Sequence, residues 1–178
     1  MAAPYDPVQQ VFDGVIQKFK TSLNNDGVFK EILKTTTIEE VYRLTNTLQE
    51  EQVKKGGLRD LARIQPFLDG LNAYAGVIEV FMQVKPDVIA LIWGPIKLLI
   101  QWASVLRQSL DAIVEVTADI GELLPEFKEV TKLFGHSEQI KEVLALFFKD
   151  IFDFYLIALK FFSLDRRSPV KSLTSTTY

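Results

Sequence analysis

Apolar residues recur every three to four positions along most of the chain, and no segment alternates apolar and polar residues with a period of two. The first spacing is typical of a helix with one buried face, whereas the second is what a half-buried strand requires. The clearest stripe comprises Val8, Val11, Phe12, Val15, Ile16, Phe19 and Leu23. The pattern therefore predicts an all-α, single-domain helical bundle of four or five long helices around one core.

Turn-forming residues divide the 178-residue chain, whose length is that of one domain. Two consecutive glycines, Gly56 and Gly57, predict a break, while Thr37 followed by Glu40 is typical of a capping box that starts a helix. The last stretch is rich in serine and threonine and has no periodicity. We expect residues 1–57 to form the N-terminal helices, 58–164 the helical core of the same domain, and 165–178 a linker or tail.

The composition limits the chemistry that the chain can perform. It has no cysteine, one histidine, a net charge of −3 and a pI near 5.3, which speaks against thiolate or histidine-rich metal sites and against a nucleic-acid partner. No phosphate-binding glycine loop, dinucleotide fingerprint or nucleophile elbow is present. We therefore predict a soluble cytoplasmic protein that is not an enzyme, with no catalytic residue, cofactor or metal.

Two features remain weak candidates for chemistry. His136 lies in a predicted turn, where it is either a surface residue or the base of a hydrolytic site. Acidic residues recur at helical spacing and form either a solvated face or a docking face for a partner. They are Glu115, Asp119, Glu122 and Glu126.

The most apolar segment, residues 88–106, permits two interpretations. It is long enough to cross a bilayer, but Lys97 near its centre would cost about 2.5–3.5 kcal/mol on insertion, and Pro95 and Gln101 also disfavour a span. The alternative is the central helix of a bundle, which is apolar on all sides because neighbours surround it. In that case we expect Trp93 to pack in the core beside Gly94, which would let a neighbouring helix approach closely.

Both ends of the helical region offer candidate interaction surfaces. The N-terminal stripe is either one wall of the bundle or an element that detaches and enters a membrane or a partner groove. The last predicted helix, from Glu138 to about Leu164, carries aromatic residues on more than one face, which suggests burial on two sides or an association surface.

The central block Ile92-Trp93-Gly94-Pro95-Ile96-Lys97 resembles an aliphatic-Trp-Gly-x-aliphatic-Lys signature. With the segments at residues 74–86, 121–127 and 147–162, it is similar to the helical, Goodbye-like N-terminal domains that precede NACHT nucleotide-binding modules in fungal NOD-like (STAND) receptors. The resemblance covers residues 58–164. Its family-like core motif consists of Trp93, Gly94 and Lys97.

This resemblance implies an N-terminal effector or signalling domain in fungal innate immunity, acting in programmed cell death or heterokaryon incompatibility. The implied partners are other copies of the chain, the nucleotide-binding module of the full receptor, and membrane lipid on activation. By fold-level analogy, related bundles kill cells by perturbing membranes after oligomerisation. The alternative is an interaction module that recruits or restrains a partner without touching a membrane.

Overall fold

The computed structural model describes residues 7–54, 60–82, 86–104, 107–124, 129 and 137–167. All regular elements within these residues are helical, which confirms the all-α class. The helices are α1 (Pro7–Leu23), α2 (Asp26–Ile32), α3 (Ile38–Lys54), α4 (Gln65–Met82), α5 (Pro86–Ala103), α6 (Arg107–Leu123) and α7 (Glu138–Arg167), with a 3-10 turn (Leu61–Ile64) before α4.

The predicted number of long helices is too low. Among the described residues, six helices have 17 residues or more, and α7 has 30. Two of these helices have a proline at or near their first residue. Pro66 lies in the first turn of α4 and Pro86 begins α5, positions where the missing backbone N–H has no helical partner to lose.

Polar side chains fix the starts of three elements. Asn25 caps α2 by accepting from the Val28 N–H at 3.1 Å, and Asp60 caps the 3-10 turn by accepting from the Ala62 N–H at 3.0 Å. At the start of α3, the Glu40 carboxylate accepts from the Thr36 N–H, one residue before the Thr37 N–H that a regular capping box would use. The predicted break at Gly56 and Gly57 lies outside the described residues.

The apolar helix α5 occupies the centre of the bundle, as the second interpretation of its sequence predicted. It contacts α2, α3, α4, α6 and α7, and its residues from Ile89 to Ile96 are all buried. Surrounding helices therefore account for an apolar character on every side. Among the described helices, none combines the length and the hydropathy needed to cross a bilayer.

Pro95 interrupts the hydrogen bonding of α5 without exposing its backbone. A proline cannot donate to the carbonyl four residues earlier, and its ring displaces the preceding turn. The fully buried Tyr155 of α7 donates its hydroxyl to the Ile92 carbonyl of that turn at 3.0 Å. This bond satisfies the buried Tyr155 hydroxyl and ties α7 to α5 beside the proline, whereas the carbonyl that loses its helical donor to Pro95 is that of Leu91.

Candidate functional site

The Trp93–Lys97 block is the place where the N-terminal helices α2 and α3 dock on α5. Trp93 is only 2% exposed, so the prediction that it packs in the core is confirmed. A Cβ atom built on Gly94 would lie 2.7 Å from the Ile32 carbonyl carbon and 2.8 Å from the Ile32 Cα, well inside van der Waals contact. The absence of a side chain at Gly94 therefore lets the end of α2 lie directly against α5.

Lys97 sits one helical turn from Gly94 on the same side of α5 and pairs with α3. Its Nζ donates to the Glu40 carboxylate at 2.7 Å, and both side chains are more than two thirds buried. The Lys97 ammonium lowers the pKa of Glu40, since it hydrogen-bonds the charged form and attracts it. The single cation in the apolar segment is thus neutralised by a partner from another helix.

The helix α1 docks on α7 through aromatic side chains. Phe12 and Phe19 are both buried, and their ring centroids lie 4.5 Å from Phe148 and 4.9 Å from Phe152, respectively. Contacts of this kind contribute about 0.5–1.5 kcal/mol beyond the buried area. Among the described helices, α7 is the neighbour with which α1 makes extensive contact.

The other residues of the predicted N-terminal stripe are less buried than these two rings. Val15, Ile16 and Leu23 are partly buried against the core, whereas Val11 is exposed. The side chain of Val8 lies outside the described residues. The helix therefore carries apolar surface that its contact with α7 does not fully cover.

A small charge cluster borders the α1–α7 contact. The Lys18 Nζ lies 3.3 Å from Asp153 Oδ1, while Lys149 Nζ lies 2.9 Å from Asp153 Oδ2. Lys149 chiefly, with Lys18 adding to it, holds the pKa of Asp153 below its ordinary value. Because all three side chains are at least one third exposed, the cluster orients α1 more than it stabilises the contact.

The side of α7 opposite the core is apolar over much of its length. Four large side chains there are between 58% and 72% exposed, and they share one helical face with the partly buried Phe154. We call this set the outer face of α7; its exposed members are Val143, Leu146, Ile157 and Phe161. These exposed apolar side chains form two pairs, one at each end of the face, with the exposed Asp150 between them, and exposed apolar surface of this kind is typical of interaction sites.

Of the two weak candidates for chemistry, the acidic stripe lies partly within the described residues, and its exposure fits both a solvated face and a docking face. Glu115, Asp119 and Glu122 are exposed on α6, and no group of metal-ligating side chains is found among the described residues. Glu126 and His136 lie outside those residues. The contacts described above are those by which helices dock on one another.

These features define a helical bundle domain that offers docking surfaces. A family model described as a domain of unknown function (DUF7708) matches residues 62–177, which is more than half of the chain, and the chain therefore belongs to that family. No curated protein and no solved structure matches the chain. The matched region includes α4 to α7, whereas α1, α2 and α3 precede it.

Proposed function

We propose that the chain is the N-terminal signalling domain of a fungal NOD-like receptor, acting in programmed cell death or incompatibility after oligomerisation. The resemblance of the Trp93–Lys97 block to the domains ahead of NACHT modules supports this assignment. In the proposed mechanism, α1 is a releasable element. It lies docked on α7 in the resting cytoplasmic protein and reaches a membrane or other copies of α1 once the receptor assembles.

The observation that carries this proposal is that α1 makes its extensive contact with α7, while its described contact with α2 is limited to the Lys20 Nζ over the Phe29 ring at 5.3 Å. The Gly94 and Lys97 contacts anchor α2 and α3 on the central helix, whereas α1 lies on α7 through Phe12 and Phe19. Release of α1 therefore requires the loss of its interface with α7 and of the Lys20–Phe29 contact with α2, and it leaves the described contacts between α5 and α2, α3 and α7 in place.

The energy of this interface fits a gated element. Full burial of a large apolar side chain contributes about 1.5–3 kcal/mol, so Phe12 and Phe19 alone contribute about 3–6 kcal/mol to the docking of α1, a lower bound for the whole interface. A free-energy difference of that size between docked and released α1 leaves α1 released in roughly one molecule in 10² to 10⁴ at rest. Assembly of the receptor would favour the released state of α1, because it brings copies of α1 together and lets their apolar surfaces be buried against one another or in a membrane.

Variants expressed in a fungal host and scored for cell death test the proposal. Asp153→Lys places a third positive charge beside Lys18 and Lys149, and should weaken docking by about 1 kcal/mol and raise killing about fivefold. The double change Lys18→Glu/Asp153→Lys restores an attractive pair and should return killing to the original level. Because it carries the same new lysine, it is the matched control.

Phe12→Glu/Phe19→Glu, or deletion of residues 1–23, provides the opposite test. Both changes undock α1 but destroy its apolar stripe, so both should abolish killing. The Glu variant must retain the helical circular dichroism and cooperative melting of α2 to α7. A folded Glu variant that kills normally would overturn the proposed role of α1.

The outer face of α7 favours a second candidate, an interaction module that recruits or restrains a partner without touching lipid. Under this function, killing would be insensitive to the apolar stripe of α1, whereas the first function requires that stripe; charge substitution at Ile157 and Phe161 should reduce killing under both. The same expression assay therefore separates the two candidates.

A further inference from the structure

The outer face of α7 has a length and a pattern that fit a second copy of itself. Val143 and Phe161 mark its ends, and 18 residues of helix place them about 27 Å apart along the axis. Leu146 and Ile157 lie just inside these ends, so the apolar side chains are arranged almost symmetrically about a point near residue 152. Symmetry about a midpoint is what an antiparallel, two-fold contact between identical helices requires.

The charges beside the stripe have the same arrangement. Glu142 and Lys160 are 18 residues apart, exposed, and lie on the same flank of the outer face, since 18 residues complete five helical turns. In an antiparallel two-fold pair, equal flanks of the two helices meet. Glu142 of one copy then faces Lys160 of the other copy, with an offset of about 3 Å along the helix axis. The two-fold symmetry generates this pairing twice.

One charge lies near the midpoint of the stripe. Asp150 is exposed there, and its carboxylate has the Lys149 Nζ at 3.8 Å. In the antiparallel register, the two copies of Asp150 are offset by about 6 Å along the axis and each faces Phe154 of the other copy. The neighbouring lysine and the offset reduce the repulsion between the two carboxylates.

We propose that the outer face of α7 is a homotypic interface, on which the same face of a second copy packs antiparallel. The proposal specifies the oligomerisation that the proposed function requires. A single helical stripe of this length and about 10 Å width covers on the order of 300 Å² in projection, less than a standard protein interface. The isolated domain is therefore expected to dimerise weakly, with a Kd of roughly 10–100 µM, and more tightly where a receptor concentrates it.

Sedimentation velocity of the purified chain over a concentration series measures this equilibrium directly. Ile157→Glu/Phe161→Glu should remain folded, because both side chains are exposed, and should be monomeric at every concentration. Val116→Glu/Leu123→Glu is the matched control, since it places two charges on exposed apolar positions of α6 and should leave the dimer unchanged.

Charge reversal then tests the antiparallel register. Glu142→Lys alone and Lys160→Glu alone should each weaken the dimer roughly tenfold, because each creates two like-charge contacts. An equimolar mixture of the two variants should regain dimerisation, since every flank contact in the mixed pair joins opposite charges. A mixture no tighter than the separate variants would overturn the register.

A wild-type chain that stays monomeric up to about 1 mM, or a dimer that survives Ile157→Glu/Phe161→Glu, would overturn the homotypic interface. That failure is distinct from failure of the proposed function, which is judged by killing in the α1 variants. A Phe12→Glu/Phe19→Glu protein that still dimerises and still kills would remove the role of α1 while leaving the α7 interface intact.

Discussion

Gly94→Ala tests whether the Trp93–Lys97 block docks the N-terminal helices. The added Cβ would meet the Ile32 carbonyl oxygen first, with the carbonyl carbon at 2.7 Å and the Cα at 2.8 Å. All three atoms belong to the backbone of α2, so no side-chain rotation relieves the overlap. The end of α2 must instead move away from α5.

The loss of stability caused by Gly94→Ala has two sources, overpacking at α5 and partial exposure of Ile32. Overpacking of a well-packed core costs about 1–3 kcal/mol, and partial exposure of Ile32, now 1% exposed, adds part of its roughly 1.5–3 kcal/mol of burial energy. The higher helix propensity of alanine returns up to about 1 kcal/mol. We therefore expect Gly94→Ala to lower the free energy of unfolding by about 1–4 kcal/mol.

Urea unfolding followed by circular dichroism measures this loss, and Gly76→Ala in α4 is the matched control. A Cβ at Gly76 meets no atom within 4 Å, so the same substitution there should stabilise the protein by about 0.5–1 kcal/mol. If Gly94→Ala is as stabilising as Gly76→Ala, α2 does not lie against α5 as described and the docking role of the block is wrong.

Three further changes have defined outcomes. Trp93→Ala should cost about 3–5 kcal/mol in urea unfolding, whereas an unchanged stability would place Trp93 on a surface. Tyr155→Phe should cost about 1–2 kcal/mol by the same measurement, because the Ile92 carbonyl loses its hydroxyl donor; a loss near zero would show that another donor replaces it. The pKa of Glu40 is lowered in the folded protein, so the ionised Glu40 stabilises the folded state above its ordinary pKa of 4.5. This stabilisation is lost as the pH falls below 4.5 towards the lowered pKa. Thermal melting from about pH 6 to about pH 3 should therefore show a smaller acid-dependent loss in Lys97→Met than in the wild type, and equal losses would contradict the pairing.

The helical class and the central position of α5 were predictable because both follow from local patterns. A 3.6-residue period identifies a helix with one buried face, and a segment that is apolar on every side needs neighbours all around it. The combination of a large Trp93 with a small Gly94 likewise indicated a close helix contact. These properties depend on residues that are near one another in the chain.

The identity of the partners was not predictable, because it depends on residues far apart in sequence. An apolar stripe indicates that one face of a helix is buried, but it does not identify the helix that covers this face. The contact between Phe19 and Phe152 could therefore be found only in the structure. In the same way, the position of Lys97 in an apolar segment did not identify its partner, which is Glu40, 57 residues away. The excess of aromatic residues on the last helix was the one sequence signal for the outer face of α7.

Hydrogen exchange under native conditions, read by mass spectrometry at increasing urea concentrations, tests the central claim that α1 is a separately releasable element. We predict that amides of α1 exchange through an opening of about 3–6 kcal/mol whose urea dependence is clearly smaller than that of global unfolding, while those of α5 exchange only through global unfolding. Asp153→Lys should speed exchange in α1 about fivefold and leave α5 unchanged. Equal protection and equal urea dependence in α1 and α5 would show that α1 opens only when the whole domain unfolds, which would contradict the account.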